Sequence, residues 1–116
     1  MDTEEYVEAV LRVVEQVPRG RVTTYGGIAE VVGVGGPRQV GRVMATYGGP
    51  VPWWRVVRAD GSLPECHERS ARTYYTDEAT PMRPSGRIDM PRALWWPADD
   101  LDEELAEGRP GPVGQV

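Results

Sequence analysis

Three groups of residues in this sequence have types and spacings suited to chemistry. Cys66 and His67 are adjacent within Pro64-Glu65-Cys66-His67-Glu68-Arg69. A thiolate is a nucleophile, and a nearby base or positive field is what produces it. Here Glu65 and Glu68 flank the pair, and nearby negative charge raises a thiol's pKa. Trp53 and Trp54 stand side by side in Pro52-Trp53-Trp54-Arg55-Val56-Val57. An indole is neither nucleophile nor base, but its flat face can stack a nucleobase for about 1–3 kcal/mol. Arg38 and Arg42 are four residues apart, so on a helix they share a face, with Gly41 and Ala45 close by. The planar guanidinium fork suits phosphates and base edges. Cys66 is the only cysteine and His67 the only histidine, so no internal disulfide can form. One of each does not make a four-ligand metal site, and neither a metal nor a cofactor is expected.

The elements that must position these residues can be read from periodicity. Thr3-Glu4-Glu5 reads as a capped, acidic helix start. Tyr6, Val7, Val10, Leu11, Val14 and Val17 then recur at helical intervals until Pro18-Arg19-Gly20. Arg21-Val22-Thr23 is short and extended. Thr24 can cap a second helix with Tyr25, Ile28, Ala29 and Val32 on its apolar side and Gly33 at its end. Pro37 suits the first turn of a third helix, whose buried stripe is Val40, Val43 and Met44. Helix, glycine turn, helix with an outward basic face is a helix-turn-helix pattern. Gly41 within that third helix costs about 1 kcal/mol relative to alanine. Close approach of another backbone, from DNA or from a packed neighbouring helix, would account for it.

Val51–Val57 reads as a strand, in which neighbouring side chains face opposite ways. One tryptophan then faces the core and the other does not. A turn at Ala59-Asp60-Gly61-Ser62 follows, then a helix over 67–79 with Ala71, Tyr74, Tyr75 and Ala79 on one side, closed by Pro81 and Pro84. Arg87-Ile88-Asp89 is extended, and Ala93-Leu94-Trp95-Trp96 adds apolar bulk. The expected fold is α/β (α+β), a small domain with a winged-helix-like helix-turn-helix over 1–97 and an acidic, disordered tail over 98–116.

Charge distribution matters more than the net −5. Residues 1–17 hold five acids and Arg12, residues 18–92 hold eleven Arg and seven acids, and residues 93–116 hold six acids and Arg109. A basic middle lies between acidic ends, and every basic residue is Arg. No stretch has the length of a membrane span and the start is not a signal peptide, so a cytoplasmic protein without a membrane partner is expected.

Three blocks in order, V-P-R-G-R-V-T-T-Y-G-G-I-A, P-R-Q-V-G-R-V-M and P-W-W-R-V-V-R-A-D-G, resemble the C-terminal DNA-binding domain of O6-alkylguanine-DNA alkyltransferases over roughly residues 6–97. The enzymes carry Pro-Cys-His-Arg-Val in the third block, and the Cys accepts the alkyl group. Here Trp53 stands at the Cys position, which resembles the alkyltransferase-like proteins, whose usual block is Pro-Trp-His-Arg-Val. Trp54 departs again, standing where the family has the His that relays a proton towards a Glu. That Glu matches Glu78, which the missing chemistry leaves as a structural residue.

The resemblance implies a non-enzymatic protein that binds O6-alkylguanine in duplex DNA as a monomer, flips the nucleotide and flags the lesion for nucleotide excision repair. It associates with the nucleoid when bound. The implied lesion pocket is Trp53, Tyr25 and Pro52, with Arg69 as the basic residue at its mouth. The implied DNA contacts are Arg38, which fills the gap left by the flipped base, Tyr25, which pushes on the neighbouring phosphate, and Thr24, Gln39, Gly41, Arg42 and Ala45. Trp54 takes a core-packing role. Gly49-Pro50 replaces the family's Asn-Pro, losing a side-chain hydrogen bond. The alternatives are an active alkyltransferase using Cys66, a helix-turn-helix transcription regulator, and an interaction module working through its acidic tail.

Overall fold

A computed structural model describes residues 1–63 and 65–96, without the side chains of Glu65 and Cys66. The expected 98–116 tail lies outside the described residues, as does Pro97.

Helix α1 spans Thr3–Gln16. Its cap is Asp2, one residue before the expected Thr3. The Asp2 carboxylate accepts from the Glu5 amide at 2.8 Å, and the Asp2 amide donates back to the Glu5 carboxylate at 3.0 Å. This two-way arrangement needs a side-chain acceptor three residues before Glu5, which Asp2 supplies. Val10, Val13 and Val14 are the buried side of α1.

Thr24 caps helix α2 (Tyr25–Val32) as expected, its hydroxyl oxygen accepting from the Gly27 amide at 2.9 Å. Gly33 ends α2 at φ +84°, a left-handed conformation that favours glycine. Pro37 begins helix α3 (Pro37–Tyr47). The expected helix-turn-helix is therefore formed by α2 and α3, with α1 packed across both.

The run 51–57 is not a continuous strand. Trp53–Arg55 forms a 3-10 turn, with the Arg55 amide donating to the Pro52 carbonyl at 3.0 Å, and only Val56–Val57 is strand. That strand, β2, pairs in parallel with β1 (Thr23–Thr24), Thr23 opposite Val56 and Thr24 opposite Val57. Strand side chains alternate, and this pair uses the alternation to join two cores. Val56 is buried with Val10, Val14, Ile28 and Val40 from the three-helix side. Val57 is buried with Val22, Ala71, Tyr75 and Ile88 on the other. Full burial of such side chains contributes about 1.5–3 kcal/mol each.

Helix α4 (Glu65–Glu78) begins two residues before the expected helix and ends one residue short of Ala79, which lies beyond it at φ +57°. After the short helix α5 (Met90–Ala93), the chain returns to β1. The Val22 amide donates to the Ala93 carbonyl at 3.0 Å and the Trp95 amide to the Val22 carbonyl at 2.7 Å. The described residues thus form a small α+β domain, rich in helix, with a two-stranded sheet at its centre. None of their helices is long and apolar enough to cross a membrane.

Candidate nucleic-acid interface

Helix α3 buries Val40 and Val43 and turns Arg38, Arg42 and Ala45 outward. Of the two expected explanations for Gly41, a packed helix is not found: among the described residues a Cβ built there meets nothing beyond its own helix within 4 Å. The glycine instead opens onto a cavity of about 340 Å³, within the size range of small-ligand sites.

Met44 and Ala45 line the same cavity from α3, followed by Gly48 and Gly49 of the next loop. Tyr25 enters from the start of α2 and Trp53 from the 3-10 turn. Leu63 and His67 form the remaining wall. Of the expected pocket residues, the structure brings Trp53 and Tyr25 together and adds Gly41 and Ala45 from the DNA-contact set. Burial raises the Tyr25 pKa above its ordinary value, partly offset by the charge of Arg58.

Two expected pocket residues are not cavity walls. Pro52 lies just before the turn, where its carbonyl accepts from the Arg55 amide. Arg69 is exposed on another side of α4, in a depression shared with Arg72, Thr73, Thr76 and Asp77. Residues two apart on a helix differ by about 200° in direction, so Arg69 and His67 face different sides of α4. His67 is the side chain that sequence reasoning missed; its only signal was adjacency to Cys66. Leu63 was also missed, because its approach depends on the long-range return of the 58–63 segment.

The remaining DNA-contact candidates have local roles too. The Thr24 hydroxyl oxygen caps α2, and the Gln39 side-chain carbonyl accepts from the Gly36 amide at 2.9 Å at the start of α3. Arg42 faces a separate, larger depression of about 560 Å³ between α1 and α3, which includes Tyr6, Val7 and Tyr47 but not Trp53. The outward ridge of α3 therefore runs between two hollows, and only one of them holds the tryptophan.

The two tryptophans do not point oppositely, as a strand would require. A 3-10 turn separates neighbours by about 120°, and the rings meet edge to face at 5.7 Å and 86°. Trp53 also lies 5.2 Å from the His67 ring, tilted by 45°. Trp54 stacks on Tyr74 at 3.7 Å and 7°. Half-buried at the edge of the second core, it packs on a partly exposed ring and has a polar partner as well.

That partner is Glu78. Its carboxylate accepts from Trp54 Nε1 at 3.0 Å, Arg55 Nη2 at 2.6 Å, Arg55 Nε at 3.1 Å and the Gly20 amide at 3.1 Å. Arg55 Nη1 also donates to the Val17 carbonyl at 2.9 Å. The Glu78 side chain is 2% exposed. Burial pushes its pKa up, but the hydrogen bonds from Arg55, Gly20 and Trp54 and the Arg55 charge outweigh burial and hold it below its ordinary value. Glu78 thus has a structural role: with Arg55, it ties the segment between α1 and β1, at Val17 and Gly20, to the Trp53 turn. Tyr75 reinforces this junction, its hydroxyl donating to the Trp54 carbonyl at 2.6 Å.

Cys66 falls in the first turn of α4, and its side chain lies outside what is described. Among the described residues, no group of three or more His, Cys, Asp or Glu side chains could hold a metal ion.

Residues 5–77 match the family 6-O-methylguanine DNA methyltransferase, DNA binding domain. The chain is 33% identical over 63 residues to a DNA base-flipping protein of Vibrio parahaemolyticus, covering 52% of this chain and spanning 63% of that relative. It is 32% identical over 99 residues to the DNA base-flipping protein of Escherichia coli K12, covering 79% of this chain and 75% of that one. The crystal structure of Schizosaccharomyces pombe Atl1 with damaged DNA containing O6-carboxymethylguanine superposes with a TM-score of 0.73 at 28% identity, covering 84% of this chain and all of Atl1. These likenesses place the chain among the alkyltransferase-like proteins of the O6-alkylguanine-DNA alkyltransferase family.

Proposed function

We propose that this protein recognises O6-alkylguanine in duplex DNA without removing the alkyl group. Helix α3 docks in the minor groove, Arg38 fills the space vacated by the target nucleotide, and the flipped base enters the cavity walled by Trp53. Tyr25 presses on the phosphate beside it. The observation that carries this reading is the opening of Gly41 and Ala45 onto the same hollow as Trp53 and Tyr25.

The physical case rests on access. Guanine O6 lies on the major-groove edge, out of reach of a helix docked in the minor groove, so reading it from there requires extrusion, which costs a few kcal/mol and least where pairing is already damaged. Minor-groove insertion offsets that cost through contacts with bent DNA. Trp53 supplies stacking but no nucleophile, and Trp54 supplies a donor but no base. The bound lesion is thereby shielded from competing alkyl transfer and marked for nucleotide excision repair, with the protein acting as a monomer.

A mobility-shift series with methyl, benzyl and larger O6 adducts, run beside a radiolabel-transfer assay, tests this. Lesion-dependent shifts with no label on the protein support it. Label that appears on the wild type and disappears in Cys66→Ser would establish an alkyltransferase instead. Equal affinity for damaged and undamaged DNA would favour a sequence-specific regulator, and negligible binding to either an interaction module.

A further inference from the structure

We infer that His67 sets the range of O6 substituents this protein accepts, by donating an imidazole N–H to acidic adducts. This rests on the cavity being the lesion site. Most of its lining is apolar or has no side chain, with Met44, Ala45 and Leu63 beside Gly41 and Gly48. Such a surface accepts neutral alkyl groups readily. An acidic group entering it would lose hydration without compensation unless a donor met it.

Among the described residues, the lining includes no Arg, Lys, Asp or Glu. Trp53 and Tyr25 offer neutral donors, and burial moves the Tyr25 pKa further above its ordinary value. His67 is the lining residue able to carry positive charge. It is exposed, and among the described residues no hydrogen bond or ion pair occupies it. Trp53 holds its ring by contact at 5.2 Å. An imidazole in contact with the Trp53 ring, its nitrogens uncommitted among the described residues, can form a charge-assisted hydrogen bond with an acidic group, the stronger kind. Arg69, the other basic group nearby in sequence, lies in a separate depression.

The test compares duplexes bearing O6-carboxymethylguanine or O6-propylguanine, similar in bulk but different in charge, with the full chain and two variants. His67→Leu should weaken binding to the carboxymethyl duplex about tenfold or more while leaving the propyl duplex within about twofold. His67→Lys should restore the carboxymethyl duplex. Equal losses on both duplexes, or no loss on either, would overturn the assignment. If wild-type protein binds neither lesion better than undamaged DNA, the lesion-site reading itself fails. That outcome is distinct from lesion binding that ignores adduct charge.

Discussion

Trp54 donates its indole N–H to the Glu78 carboxylate at 3.0 Å. The resemblance puts a histidine where Trp54 stands and a proton-relaying glutamate where Glu78 stands. In this chain the partner of that carboxylate is an indole. An indole N–H only donates, so no proton can be taken up at Trp54 and passed on. What remains is architecture. The same carboxylate holds Arg55 and the Gly20 amide, fixing the turn that presents Trp53 to the cavity.

Removing the Glu78 charge should therefore destabilise the domain. Loss of one partner from a buried ion pair costs about 3–5 kcal/mol, and Arg55 and Glu78 are 12% and 2% exposed. Glu78→Gln should unfold at clearly lower urea concentration at pH 7. Because the folded pKa of Glu78 lies below its ordinary value of 4.5, its contribution is fully present above that value. It fades as pH falls through the lower folded value. The gap between wild type and Glu78→Gln should accordingly shrink in urea titrations taken below pH 4.5; a gap independent of pH would contradict the linkage.

The Trp54 hydrogen bond can be separated from its stacking. Trp54→Phe keeps a ring against Tyr74 but removes the N–H, and should cost about 1–2 kcal/mol in thermal or urea unfolding. Trp54→His offers a donor again and should recover part of the hydrogen-bond term. Equal stability of Trp54→Phe and wild type would show that the bond contributes nothing.

Gly41 gives a test in which stability and binding move in opposite directions. Beyond its own helix, no described residue comes within 4 Å of a Cβ at this position, and glycine within a helix costs about 1 kcal/mol relative to alanine. Gly41→Leu should melt no lower than wild type, yet lose lesion binding by filling the space before Trp53. A variant that binds normally would remove α3 from the interface.

Arg38→Ala should weaken lesion binding by about 1–3 kcal/mol and leave the melting temperature unchanged, since Arg38 is exposed. Tyr25→Ala should also weaken binding. Unchanged affinity in the first removes the gap-filling assignment, and in the second it removes the phosphate push. Binding of the wild type should fall with added salt as phosphate contacts are screened.

The parts legible in the sequence are those determined locally. Helical periodicity, the Thr24 cap, the Gly33 terminator and Pro37 all act within a few residues, and α1 to α3 follow from them. The turn at Trp53–Arg55 was hidden because Val56 and Val57 give the run a strand-like look, while only those two residues find a partner, Thr23–Thr24, more than thirty positions away. The cap of α1 was misplaced because Asp2 and Thr3 are both good caps, and only the reciprocal bond to Glu5 selects Asp2. Glu78 as a junction and His67 as a cavity wall depend on how α4 packs against distant segments. No local pattern encodes that packing. Arg69 as the mouth residue follows from the resemblance alone, and on a helix, where direction changes by about 100° per residue, a shift of two positions moves a side chain from the cavity to another side of α4.

The central claim is that the Trp53-walled cavity holds a flipped O6-alkylguanine. Its most direct test is the affinity ratio between an O6-methylguanine duplex and its undamaged twin, measured at equilibrium for wild type and Trp53→Ala. Wild type should favour the damaged duplex and Trp53→Ala should lose most of that preference, in line with about 1–3 kcal/mol of stacking. A preference that survives intact without the indole would contradict it.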